Sequence, residues 1–262
     1  MYKIGCSGWA YNPWIGPFYP LNSKPDDLLK LYSNVFDTVE IESTFYAIHD
    51  TKRLDKWYNE VPDNFVFSPK LPKIITYDNM LVNIETMFKS YTDSIKTLNN
   101  KLGVTLIQIP PFLDYNKGIN RLKEFIKLFP DDLRFAIEFR NKSWFNSDVY
   151  SLLRDKNIIL SWIERPEIKI SNILTSDYIY LRLMGDKSVL HKKDFGSIKL
   201  DRTEEIKEWT DIINKNINNA KTVFIYANNH FQGFTPGTVN IVREELGLGR
   251  LNLKMDKQKT LF

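Results

Sequence analysis

Along this chain, short apolar runs alternate with polar breaks and with longer stretches in which apolar residues recur at helical spacing. The runs fall at Tyr2–Ser7, Thr38–Ser43, Phe65–Lys70, Val104–Ile109, Arg134–Arg140, Ile158–Ile163, Tyr178–Leu183 and Thr222–Asn228. They are brief and rich in β-branched and aromatic residues, as strands require. Between them, Pro25 stands just inside a helix start, where its missing N–H costs nothing. Met80–Leu102 is a long amphipathic stretch closed by Gly103, a suitable residue just beyond a helix. Asp201–Asn219 and Thr238–Leu246 read as helices too, whereas Glu164–Thr175, interrupted by Pro166, allows only a short one. Strands alternating with helices predict a parallel sheet. Eight such units in 262 residues predict an α/β fold of the TIM type, a (β/α)8 barrel. No linker or low-complexity segment interrupts the chain, so residues 1–262 are expected to form one domain, with 250–262 as a C-terminal tail.

Side chains alternate across a strand, so each run divides into two faces. Glu40 and Glu42 oppose Val39 and Ile41, and Ser68 and Lys70 oppose Phe65 and Phe67. Gln108 stands apart from Ile107 and Ile109. Glu138 and Arg140 oppose Phe135, Ile137 and Phe139, and Tyr180 and Arg182 oppose their aliphatic neighbours. Tyr226 and Asn228 share a face. The outer face of a barrel strand packs on helices and is apolar, so the polar set is expected to point inward. It lies near the strands' C-terminal ends, where enzymes of this architecture carry their active sites. The competing reading is a set of satisfied ion pairs closing the barrel top.

The connecting loops add candidates. After the first strand, Trp9, Tyr11 and Trp14 can stack on a sugar ring or base, or else seal the wall; Phe18 and Tyr19 are expected to seal it. Tyr46 follows the second strand and can bring a hydroxyl over the pocket, while Phe45 is expected to pack. Pro110-Pro111 stiffens the backbone beside Gln108, and either bond can be cis. The segment Asn228-Asn229-His230 through Gly237 resembles an anion site made by a loop and a helix N-terminus. There Asn228 or Asn229 would donate to an oxyanion, His230 would act as acid or base, and Gly233 and Gly237 would permit close backbone approach. A capping or core hydrogen bond is the alternative for His230. The basic loop Gly185–Asp194 is either a lid or a solvated charge run.

Composition narrows the classes. The charge of +4, from 36 basic and 32 acidic residues, is mildly basic; it permits an anionic ligand but lacks the dense basic stripe typical of nucleic-acid binding. One cysteine, Cys6, precludes an intramolecular disulfide and fits a reducing interior. There is no apolar run approaching ~20 residues, so no membrane span is expected. The opening Met1-Tyr2-Lys3-Ile4-Gly5 lacks a signal-peptide core, and a cytoplasmic location is expected.

In order along the chain, the motifs resemble those of the domain-of-unknown-function 72 (YecE-like) family. They are Gly5-Cys6-Ser7-Gly8-Trp9 with Tyr11 and Trp14; Val39-Glu40-Ile41-Glu42-Ser43-Thr44-Phe45-Tyr46; Phe67-Ser68-Pro69-Lys70; and Gln108-Ile109-Pro110-Pro111. Glu138-Phe139-Arg140 with Ser143-Trp144, Tyr180-Leu181-Arg182, and Asn228-Asn229-His230 with Gly233 and Pro236 complete them. The resemblance implies a TIM-type barrel and no agreed activity. The family pattern often has Asn where this chain has Glu42, and His in the region of Tyr77. Chemistry resting on that histidine is therefore not implied here.

The residues favour some chemistries over others. His49, His191 and His230 lack ligand partners at metal-binding spacing. A Mg²⁺ or Mn²⁺ site at Glu40, Glu42 and Glu138 is conceivable but disfavoured, because Lys70, Arg140 and Arg182 would neutralise those carboxylates. No phosphate loop, dinucleotide fingerprint or nucleophile elbow is present. Lys70 would form a Schiff base if its pKa were depressed, but the nearby glutamates are expected to raise it.

No cofactor is expected. The leading expectation is a metal-independent hydrolase or isomerase of a small phosphorylated or sugar-like anion. Glu42, Glu138 and His230 are its catalytic candidates; Trp9, Tyr46, Lys70, Gln108, Arg140, Arg182, Asn228 and Asn229 would bind substrate. The separation of the two glutamates bears on glycoside hydrolysis. Two alternatives stand beside it. One is a nucleic-acid-associated factor or nuclease recruited through Gln258, Leu261 and Phe262, a tail that resembles short sliding-clamp-binding peptides. The other is a non-catalytic sensor of an anionic metabolite.

Overall fold

The computed structural model describes residues 1–165 and 172–254. It is an α/β fold whose paired strands all run parallel. β1 (Tyr2–Ser7), β2 (Thr38–Ile41), β3 (Val66–Pro69), β4 (Val104–Ile109) and β5 (Arg134–Phe139) are followed by the short β6 (Ile159–Leu160) and β7 (Trp162–Glu164), then by β8 (Tyr178–Leu183) and β9 (Thr222–Ala227). They form a six-stranded sheet, β3-β2-β1-β9-β8-β7, and a three-stranded sheet, β4-β5-β6. Lys70 bridges to Leu106, and Leu71 N–H donates to the Leu106 carbonyl at 2.8 Å, which links β3 to β4. Ser161 alone separates β6, which pairs with β5, from β7, which pairs with β8. The single strand expected over Ile158–Ile163 is thus two, because the segment passes from one neighbour to the other within three residues.

Helices α1 (Leu28–Ser33), α2 (Thr51–Glu60), α3 (Glu85–Ile95), α4 (Tyr115–Ile126), α5 (Ser147–Asp155), α6 (Thr203–Asn216), α7 (Asn229–Gln232) and α8 (Thr235–Glu245) fill the connections. Four start on side-chain caps that satisfy a free backbone N–H: Asp50 accepts from Arg53 N, Asp114 from Lys117 N, Asn146 from Val149 N and Asn228 from His230 N. The helix expected from Met80 begins only at Glu85. Met80, Leu81 and Asn83 have left-handed backbones (φ 47°, 64° and 55°), which no helix accommodates. It also stops early, giving way after Ile95 to a 3-10 segment in which Asn99 is left-handed. Of the weak unit at Glu164–Thr175, residues 166–171 lie outside the described residues.

The alternation read from the strands divides two environments. Val39, Ile41, Phe65, Phe67, Ile179, Leu181, Val223 and Ile225 belong to one helix-covered core, and Ile107, Ile109, Phe135, Ile137 and Phe139 to a second. On the opposite strand faces, Val104, Leu106, Ala136, Ile159, Tyr180, Phe224 and Tyr226 form a small apolar cluster drawn from both sheets. Above it, toward the C-terminal strand ends, the same faces turn polar.

Candidate functional site

The polar residues occur at two heights. The lower set lies within strands and is held in register: Ser7 is opposite Glu40, Glu40 opposite Ser68, Gln108 opposite Glu138, and Arg182 opposite Tyr226. Arg182 binds both buried carboxylates. Its Nε and Nη2 donate to Glu40 at 2.9 and 2.7 Å, and its Nη1 donates to Glu138 Oε2. Tyr180 and Ser7 each donate to Glu40 at 2.8 Å, while Gln108 and Arg140 each donate to Glu138 Oε1 at 2.7 Å. Below them, the Tyr226 hydroxyl joins Thr38 and Ser68. Glu40, Glu138 and Arg182 are buried, and every carboxylate oxygen has a donor.

The upper set stands one residue beyond the strand ends. Glu42 follows β2, Lys70 follows β3 and Arg140 follows β5. Glu42 is no longer in strand geometry (φ −72°, ψ −28°), because it opens the 3-10 turn Ser43–Phe45. It nonetheless turns inward, accepting from Arg182 Nη2 at 3.2 Å, with Ser7 Oγ at 2.9 Å, its one proton shared between Glu40 and Glu42, and Lys70 Nζ at 3.5 Å. The Glu42 side chain is 29% exposed, Arg140 22% and Lys70 6%. Tyr77, carried on the π-helical turn Ile74–Asp78, donates to Gln108 at 3.0 Å and accepts from Arg140 Nη1 at 3.4 Å. Phe45 bridges this rim: its ring lies 4.0 Å from Lys70 Nζ and 5.5 Å from the Tyr77 ring.

Titration follows the geometry. Burial drives the Glu40 pKa up, more than Arg182 lowers it. Burial also opposes ionisation of Glu42, but Lys70 and Arg182 outweigh it and hold the group down to about 2. At Glu138, Arg182 and Arg140 overcome burial and keep the carboxyl well below its usual range. Arg182 stays charged: burial disfavours its cation, but Glu40 and Glu138 more than compensate. Burial lowers the Lys70 pKa despite Glu42, contrary to the direction expected from sequence. The neighbouring glutamates were visible in the strand pattern, but the depth at which the chain holds the ammonium was not.

Several other candidates lie apart from this cluster. The Nδ1 of His230 is 2.8 Å from the Leu190 carbonyl, its ring packs edge-on against Phe195, and it makes no hydrogen bond to the cluster. Burial lowers its pKa. Asn228 caps α7 through His230 N, and buried Asn229 accepts from Trp14 Nε1 and from Thr235 N and Oγ1. Gly233, left-handed at φ 103°, is used for close approach to the Ser197 carbonyl. The basic loop after β8 is anchored by buried Leu190 and Phe195. Trp14, Phe18 and Tyr19 are buried, and Trp9 packs edge-on against Trp57 at 5.1 Å. Tyr46 is 70% exposed. The described peptide bonds, those of Pro110 and Pro111 included, are trans. Gln258, Leu261 and Phe262 lie outside the described residues.

Two contacts had no clear sequence signal. Ser43 Oγ lies 2.8 Å from His49 Nε2, a pair six residues apart on an exposed turn. Arg165, just past β7, brings positive charge to Tyr77 and Asp186. Among the described residues, no group of three or more His, Cys, Asp or Glu is arranged to hold a metal ion, and no helix is long and apolar enough to cross a membrane. A cavity of about 500 Å³ opens at the other end of the strands, between the segments leading into β5 and β6, lined by Lys127, Pro130, Arg134 and Lys156. Its lining includes none of the clustered charged residues Glu40, Glu42, Lys70, Glu138, Arg140 and Arg182.

Comparison with known proteins agrees on kinship and is silent on activity. UPF0759 protein YunF of Bacillus subtilis is 28% identical over 261 residues, spanning 89% of this chain and 90% of its own. UPF0759 protein YecE of Escherichia coli is 22% identical over 145 residues, 55% of this chain and 50% of its own. A crystal structure of a DUF72 family protein from Thermotoga maritima superposes with a TM-score of 0.80 at 24% identity, covering 94% of this chain and 99% of that one. One from Enterococcus faecalis gives 0.77 at 21% identity, covering 98% and 99%. The profile described as "Protein of unknown function DUF72" matches residues 3–260, and the chain belongs to that family.

Proposed function

We propose that the two sheets close into a (β/α)8 barrel whose mouth binds a small phosphorylated or sugar-like anion, and that the protein is a metal-independent hydrolase or isomerase. The Lys70–Leu106 bridge, the hand-over at Ser161 and the apolar cluster shared by both sheets support closure. One observation carries the functional reading: in the buried layer every carboxylate oxygen and every Arg182 nitrogen is hydrogen-bonded, whereas the rim cations keep donors without a partner among the described residues. Arg140 spends Nε on Glu138 and Nη1 on a long contact with Tyr77, leaving Nη2 without a partner among the described residues. Arg165 adds positive charge nearby. An anion at the mouth would meet Arg140 first, with Lys70 and Tyr77 beside it.

Glu42 is the carboxylate of the cluster that reaches solvent. Ionised throughout the neutral range, it enters this reading as a proton acceptor. Glu138, with both oxygens occupied, becomes a support that aims Arg140 and Arg182. Arg182 donates to all three glutamates, so a divalent ion would have to displace a guanidinium buried among them; this donor set supports the metal-independent reading. The test is a thermal-shift panel of inorganic phosphate, sugar monophosphates and short carboxylates on wild type and Arg140→Ala. A ligand at a hundredfold its Kd stabilises by about 2.7 kcal/mol, a shift of several degrees. A shift that disappears in Arg140→Ala supports the site. No shift with any compound, or a full shift in the variant, defeats it.

A further inference from the structure

Lys70 is the buried charge that the ion-pair network satisfies least. Its side chain is 6% exposed, yet its ammonium makes a single hydrogen bond, 3.5 Å to Glu42 Oε2, and otherwise faces the Phe45 ring. An ammonium has three donors, and a buried charge left short of partners is costly. Two other lysines of this chain serve as internal controls. Lys101 is 3% exposed and donates to the Tyr58 and Val61 carbonyls at 2.8 and 2.7 Å, with Asp63 at 3.6 Å. Lys3 donates at 2.8 Å to both Asp37 and the Asn64 carbonyl. Both controls lie away from the strands' C-terminal ends and make two short hydrogen bonds each. Lys70 stands at those ends, beside the partly open Glu42 and Arg140, and makes one long one.

We propose that Lys70 is the amine with which this mouth captures an anionic carbonyl compound, a small aldehyde or ketone bearing a carboxylate or phosphate, as an imine. The inference rests on the reading of the mouth as an anion site and names its substrate class. Successive contacts run from Lys70 to Phe45, from Phe45 to Tyr77 and from Tyr77 to Arg140, so in this proposal a short ligand sets its anion on Arg140 and its carbonyl carbon at Nζ. In the step itself, the neutral amine adds to the carbonyl carbon, forming the C–N bond as the C–O π bond breaks. The C–O single bond then breaks, and one water leaves with the carbonyl oxygen and the two amine protons. No oxidant or reductant is consumed. Glu42 is the carboxylate placed to relay those protons. The groups acting on Lys70 pull in opposite directions: burial and Arg182 disfavour the ammonium, while Glu42, Glu40 and Glu138 favour it, and the balance falls on the neutral side of an ordinary lysine.

Glyoxylate, a small anionic aldehyde, with cyanoborohydride to trap the imine, tests this on the intact protein at neutral pH, read by peptide mapping. Lys70 is expected to be carboxymethylated at least about tenfold faster than the exposed Lys89, because burial leaves more of its amine in the neutral, nucleophilic form. Inorganic phosphate in excess should slow Lys70 and leave Lys89 unchanged. Because wild type alone identifies the reacting lysine, the result does not depend on a Lys70 variant folding. If glyoxylate or phosphate binds with dependence on Arg140 while Lys70 reacts no faster than Lys89, the imine is overturned and the anion site stands. If neither compound binds and Lys70 is unreactive, both fail.

Discussion

Two layers of the same chemistry, two residues apart along the strands, behave as different materials. In the lower layer, Glu40, Glu138 and Arg182 lie within strands, are buried, and have hydrogen bonds at every carboxylate oxygen. In the upper layer, Glu42, Lys70 and Arg140 stand just past the strand ends; Glu42 and Arg140 reach solvent, and Lys70 and Arg140 leave donors unused. A saturated buried network holds a structure in one geometry, because removing any member strands the others. An unsaturated one has capacity for a ligand. On the proposed reading, Arg182 belongs to the scaffold and Lys70 and Arg140 to recognition, although all are cations on the same polar strand faces.

The largest expected effect falls on the lower layer. Arg182→Ala leaves Glu40 and Glu138 buried without their common partner and should cost about 3–5 kcal/mol in urea unfolding. A loss below about 1 kcal/mol would erase the distinction between the layers. Glu138→Gln comes next, at about 1–3 kcal/mol, because an amide NH₂ must face a donor from Arg182, or from Arg140 and Gln108.

Acid sharpens the contrast further. The folded Glu42 is held down to about 2 from 4.5, so the stability it contributes is present above 4.5 and lost as pH falls toward 2. Glu138, also lowered, adds loss in the same direction, whereas Glu40, raised, acts oppositely. Unfolding measured from pH 5 to 2 should therefore show a smaller acid-induced loss in Glu42→Gln than in wild type. Equal slopes would mean that Glu42 is not paired as described.

The smallest stability effect belongs to the upper layer. Lys70→Met removes a poorly satisfied cation in favour of an apolar chain of similar length and should change stability by less than about 1 kcal/mol. The same variant should lose its selective reaction with glyoxylate. A cost like that of Arg182→Ala would place Lys70 in the scaffold instead.

Much of this was legible in the chain. Period-two alternation is a local property, so Val39-Glu40-Ile41 or Ile137-Glu138-Phe139 announces which residues face helices and which face inward. Strand limits at Tyr2–Ser7, Val104–Ile109 and Tyr178–Leu183 followed from the same pattern. The loop after β9 was ambiguous in the sequence, because Asn and His have the same appearance whether they bind a ligand or, like the side-chain oxygen of Asn229, hold Trp14 and Thr235 in place. The start of α3 misled because helical spacing continues through Met80–Asn83, where the backbone turns left-handed.

By itself, then, the sequence determined the succession of strands and helices and the set of ionisable residues sharing one face, since both depend on neighbours a few positions away. Only the tertiary structure decided which charges saturate one another. That depends on contacts such as Arg182 with Glu40, 142 residues apart, and on the depth at which each group leaves water. The same depth turned Lys70 from an apparently stabilised ammonium into a depressed one. Desolvation is set by everything packed around a group, and no local pattern in the chain records it.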